Sequence, residues 1–129
     1  MKQIKNRKGQ AMVEFVLILP VFLLLLLGMV DLSRVISANF VLENAARSAA
    51  RVGVVSNSDT DIINAIENGT ESLDETRITY IITPSEGTRG SGDELRVEID
   101  YTVDILTPIV SNVLGNSIPI SGKTIMRVE

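Results

Sequence analysis

The chain has 129 residues, with twelve Lys/Arg against sixteen Asp/Glu and neither cysteine nor histidine. That length holds one small domain plus one membrane segment. The missing residue types remove disulfides, thiol catalysis, most zinc or copper sites, the commonest general base and any histidine-containing triad. What remains points to a structural or interaction role rather than an enzyme, with no cofactor; an acidic chain without a basic stripe argues against nucleic acid as a partner.

Lys2, Lys5, Arg7 and Lys8 open the chain with no acid among them, leaving eight Lys/Arg against all sixteen acids from residue 10 onward. Residues 10–30 then form an apolar run in which Glu14 is the sole ionisable side chain. About 20 helical residues cross a bilayer core of roughly 30 Å. The chain therefore reads as single-pass, with the basic N-terminus cytoplasmic and the long C-terminal part outside. A carboxylate near the middle of a membrane helix costs roughly 2.5–3.5 kcal/mol, less towards the end of the span. Glu14 is either needed or tolerated. A secretory signal peptide fits poorly, because the apolar core from Phe15 to Val30 exceeds the usual h-region of about 7–15 residues. No small-x-small cleavage site follows closely, since Ile36-Ser37-Ala38 has the wrong residue in its first place.

Helical character continues past the apolar run. Val35, Ala38, Leu42, Ala45, Ala49 and Val52 recur at alternating spacings of three and four, a stripe on one helix face. Glu43, Arg47 and Arg51 share an i, i+4 row with the acid first, the favourable order. The only breakers between residue 10 and about residue 54 are Pro20, Gly28 and Gly53. One helix of about 45 residues follows, roughly 65–70 Å long. Pro20 should bend it, because proline lacks an N–H and clashes with the preceding turn.

Residues 59–73 offer a short helix with Ile62, Ile63 and Ile66 as its apolar face. Ile78, Tyr80 and Ile82 alternate with Arg77, Thr79 and Thr83 as a strand interrupted only by Ile81. "PSEGTRGSGDE" (84–94) reads as a Gly/Ser-rich hairpin loop. In the next strand Leu95, Val97, Ile99, Tyr101, Val103 and Ile105 face one way, and Glu94, Arg96, Glu98, Asp100, Thr102 and Asp104 the other. "TPIVSNVLGNS" (107–117) is a connector with room for one helical turn, and residues 118–128 form a last strand with Gly122 as a bulge. Three antiparallel strands with one apolar face need a cover, which the small-residue stripe of the helix supplies. The expected class is α+β, a long helix packed against a small antiparallel sheet. The outer part is too poor in apolar residues to stand without the helix. On the acidic strand face, Glu98, Asp100 and Asp104, with Asp93 nearby, are either a solvated surface or oxygen donors for Ca²⁺, without the spacing of a calcium loop.

Three stretches carry a family resemblance: "KGQAMVEF" with the Pro-containing Leu run behind it, "GMVDLSR" (28–34) and "NAARSAAR" (44–51). The closing "ISGKTIMRVE" adds to it. The chain resembles a TadE-type pseudopilin of the tight-adherence branch of the type IV pilus family, closely over its first 50 residues and loosely beyond. The resemblance implies a pilin-like fold and a prepilin peptidase that cuts after Gly9, so that Gln10 begins the mature chain. Type IV pilins usually have Phe at that place; Gln10 is a departure that fits the tight-adherence branch. It also implies assembly roles for Glu14, Phe15 and Pro20. Glu14 would meet the new N-terminal amine of a neighbouring subunit, and Pro20 would loosen the helix as subunits leave the membrane. Against these stand an interfacial carboxylate that snorkels to water and a proline of the kind common in membrane helices. The parts are then a basic leader (1–9), a transmembrane and assembly half-helix (10–30), an amphipathic half-helix (31–55) and an extracytoplasmic sheet domain (56–129). The implied partners are the peptidase, other pilin subunits, assembly-platform proteins and the lipid membrane. The implied function is a minor pilin of the cytoplasmic membrane or of an extracellular filament. The alternative is a single-pass, membrane-anchored extracytoplasmic binding or sensor module.

Overall fold

A computed structural model describes residues 7–129; Lys2 and Lys5 of the basic leader lie outside the described residues. The long helix, α1, spans Arg7–Ser56, 50 residues that run helical through Pro20. At 1.5 Å per residue it is about 75 Å long. No residue of its most apolar window is buried. A core helix of a soluble protein would be covered there, and a signal peptide would not continue into a helix that carries the domain's core. The apolar half fits a single-pass membrane anchor.

The C-terminal half of α1 holds the rest of the molecule, and the fold is α+β. The expected stripe faces inward: Ala38, Leu42, Ala45 and Ala49 are buried, with Val35 and Val52 half-buried at its edges. Ala46, Ala50 and Gly53 widen it. "NAARSAAR" thus turns its four alanines to the core and leaves Asn44, Arg47, Ser48 and Arg51 exposed. Among the described residues no ion pair joins Glu43 to Arg47, so the i, i+4 row is a solvated edge rather than a bridge.

A second helix, α2, spans Asp59–Gly69 and packs on α1 through buried Ile62 and Ile66, while Ile63 is only half-buried. It ends four residues earlier than its pattern suggests. Thr70 closes it, donating its backbone N–H and its hydroxyl to the Ile66 carbonyl. A 3₁₀ turn at Glu75–Arg77 leads into strand β1, Thr79–Thr83. Strand β2, Glu94–Asp104, pairs antiparallel with β1 and with β3, Ser117–Arg127, giving the order β1-β2-β3. As the alternation requires, Leu95, Val97, Ile99 and Val103 are buried. Between β2 and β3 the connector holds a helix, α3, at Pro108–Leu114.

Gly122 is not a bulge. The β2–β3 register runs unbroken from Glu94↔Arg127 to Asp104↔Ser117, with Gly122 opposite Ile99. Its lack of a side chain serves helix–sheet contact instead: a Cβ there would lie 2.5 Å from the Leu42 carbonyl carbon. The loop at 84–93 is also more than a hairpin connection. Arg89 is buried and pairs with Asp59 at the start of α2, while Glu86 and Asp59 exchange backbone-to-carboxylate hydrogen bonds of 3.1 and 3.3 Å. The loop therefore straps the far end of the sheet to α2.

Candidate functional site: the N-terminal segment and the membrane-proximal junction

Gly9 and Gln10 lie in the first turns of α1, both exposed. Nothing stands within 4 Å of where a Gly9 Cβ would be. Glycine weakens a helix by about 1 kcal/mol relative to alanine, so the Gly9–Gln10 peptide sits in a weakened turn of the helix. Glu14 follows one turn later and accepts a 3.3 Å hydrogen bond from the Gln10 side-chain amide. Both residues are exposed, and among the described residues no cation pairs with this carboxylate. Phe15 is exposed beside it. Pro20 lies further along, where its missing N–H frees the Val16 carbonyl of its helical bond.

The sequence reading gave no role to Asp31, and the structure does. Asp31 is buried. Its Oδ1 accepts the Leu106 N–H at 2.9 Å, and its Oδ2 accepts the Thr107 N–H at 2.9 Å and the Thr107 hydroxyl at 2.6 Å. One turn on, the Arg34 guanidinium donates to the Asp104 carbonyl at 3.0 Å and lies 3.9 Å from Asp31. "DLSR" thus fastens the end of β2 and the start of α3 to the helix just where the apolar span ends. A signal was present: Asp31 continues the stripe of Val35, Ala38 and Leu42 by one more step of four. A carboxylate on a buried stripe needs donors. In a single sequence nothing says which donors the chain will bring.

The Thr107 hydroxyl, together with the backbone N–H groups of Leu106 and Thr107, holds the Asp31 carboxyl below the usual 3.8, against the opposing effect of burial. A depressed folded-state pKa adds stability that is present above the unfolded value and lost as pH falls through the folded one. Asp31→Asn replaces one oxygen by an NH₂ that must face donors. It should lower the melting temperature of the detergent-solubilised chain at pH 7. The gap to wild type should close as the pH drops below 3.8 and Asp31 is itself protonated. A gap that stays constant from pH 7 to pH 3 would mean that the charge contributes nothing.

Round the helix from this junction, starting at its edge, Leu25, Met29, Leu32, Ile36 and Phe40 follow one another at spacings of four, three, four and four, and all are exposed. This apolar row begins inside the span and continues two to three turns beyond it. On the acidic strand face, Asp104 pairs with Arg77 and Asp93 accepts the Gly90 N–H at 2.7 Å. Among the described residues no three acidic side chains converge as a cation site would need.

A family model described as TadE-like protein matches residues 9–51, a stretch that takes in Gly9, Gln10, Glu14, Pro20, Asp31, Arg34 and the alanine run but stops short of the sheet. No curated protein and no solved structure matches the chain.

Proposed function

We propose, from the TadE-like match over residues 9–51, that the chain is a Tad pilus-associated pseudopilin. In this reading a prepilin peptidase cuts it after Gly9 on the cytoplasmic side. The helix then inserts as one subunit among others, with its sheet domain outside the cytoplasmic membrane. The observation that carries the proposal is the exposed row where it leaves the span, at Ile36 and Phe40. A lone tether has no use for apolar residues facing water above the bilayer, each costing roughly 1.5–3 kcal/mol of unrealised burial. Helices packed side by side in a filament cover them. Glu14 then meets the new α-amino group of a neighbour, which is mostly protonated at neutral pH.

Processing tests this first. Membrane-extracted protein should have the intact mass of a chain starting at Gln10, and Gly9→Leu should keep its leader. Open space around Gly9 means that the substitution leaves the fold alone, so lost cleavage would report recognition by the peptidase. Wild-type protein that retains Lys8 would remove the proposal's main support.

A further inference from the structure

The two ends of the sheet differ in chemistry. At the far end, the β1–β2 loop carries Glu86, Arg89 and Asp93 and reaches the start of α2. At the near end, the β2–β3 connector and the start of β3 contain no charged residue from Ile105 to Gly122, in a chain with 28 charged residues. Asp31 pins this connector to α1 through Leu106 and Thr107. Val110 and Leu114 of α3 border an apolar groove of about 230 Å³ whose other wall includes Gly28 and Leu32. The helix α3 is thereby held level with the last residues of the apolar span. At that level Leu106, Ile109, Val113 and Leu114 are all exposed, Val113 by 77%.

We propose that α3 is a foot resting in the outer leaflet: Leu106, Ile109, Val113 and Leu114 enter the boundary between lipid headgroups and acyl chains beside the span. The inference depends on reading residues 10–30 as a bilayer helix. Given that reading, its occupant follows from position and charge. At 100° per residue α3 puts Ile109, Val110, Val113 and Leu114 on one arc and Ser111 and Asn112 on the other, an amphipathic arrangement that suits the interfacial zone, with the polar side chains towards water and the aliphatic ones in lipid. The Asp31 carboxylate can stand at this depth because its oxygens are already filled by donors. With the foot planted, the sheet domain keeps one orientation relative to the membrane before any assembly.

The cysteine-free chain permits single-site labelling of full-length protein in phosphatidylethanolamine/phosphatidylglycerol vesicles. A polarity-sensitive fluorophore would be placed at Val113→Cys, at mid-span Val21→Cys and at Val55→Cys, which is exposed near the far end of α1. Quenching by doxyl-labelled lipid should be several-fold stronger at position 113 than at position 55 and should persist when the protein is diluted with lipid. Quenching at 113 no stronger than at 55, with 21 strongly quenched, overturns the foot and leaves the anchor standing. Weak quenching at 21 overturns the anchor and the foot together. Shielding at 113 that disappears on dilution makes a second copy the occupant and overturns the lipid assignment.

Discussion

Gly122→Val should lift the sheet off the helix and unfold the sheet domain. A Cβ at Gly122 would lie 2.5 Å from the Leu42 carbonyl carbon, 2.6 Å from its oxygen and 2.8 Å from the Glu43 nitrogen. All three are backbone atoms of α1, so no rotamer change relieves the contact. Overpacking a core costs about 1–3 kcal/mol and sometimes more. A clash with rigid backbone belongs at the upper end or beyond, and valine adds two methyl groups to it. Small domains have roughly 5 kcal/mol in all at the low end of the usual range, and this one leans on α1 for its core. Ser121→Val is the control, since Ser121 is exposed on the same strand. Calorimetric melting in detergent should show the Gly122 variant far below the Ser121 variant. Equal melting temperatures would mean that the helix and sheet do not approach as closely as described.

The second large effect concerns assembly. Glu14→Leu should insert as well as wild type or better, because it removes a charge that is costly in lipid. Cleavage after Gly9 should survive, since the glycine and the basic residues before it are untouched. Incorporation into filaments should collapse. In the proposed filament the neighbour's ammonium would be desolvated without a partner, a penalty of several kcal/mol, and among the described residues only the Gln10 amide meets Glu14. Glu14→Gln keeps size and polarity without the charge and should fall between the two. The measurement is the ratio of subunit in sheared filaments to subunit in the inner membrane. An unchanged ratio in both variants would make Glu14 an interfacial acid that snorkels, and the tether reading would move ahead.

Periodicity made the helix and the central strand legible. The stripe from Val35 to Val52 and the alternation from Leu95 to Val103 each repeat often enough to fix a face, and both faces are inward here. Elements set by contacts across the chain were not legible. Gly122 resembled a bulge because a strand glycine has two common causes, and only the position of Leu42 separates them. Ile81 broke the strand pattern because it is exposed on edge strand β1. Arg89 sat in a stretch whose composition read as solvent-facing loop, and its burial depends on Asp59, thirty residues earlier. The α2 helix stopped early because a threonine closed it, which propensity does not reveal. At the N-terminus, "KGQAMVEF" already held Gly9, Gln10 and Glu14 in order, because what matters there is spacing along one helix. Asp31 and Arg34 stood in the quoted "GMVDLSR", but their donors and acceptors come from residues 104–107, a distance no local pattern spans.

In the proposed function α1 is a packing surface for other subunits and not a tether. The most direct test is Ile36→Lys, a charge placed on the exposed row above the span, compared with Val55→Lys, a change at another exposed position off that row. Both substitutions are at exposed positions, so both proteins should fold, insert and be cut alike. The quantity measured is the fraction of each recovered in sheared filaments at matched membrane levels. A subunit predicts that Ile36→Lys is depleted many-fold while Val55→Lys stays near wild type. Equal recovery of the two would contradict the account.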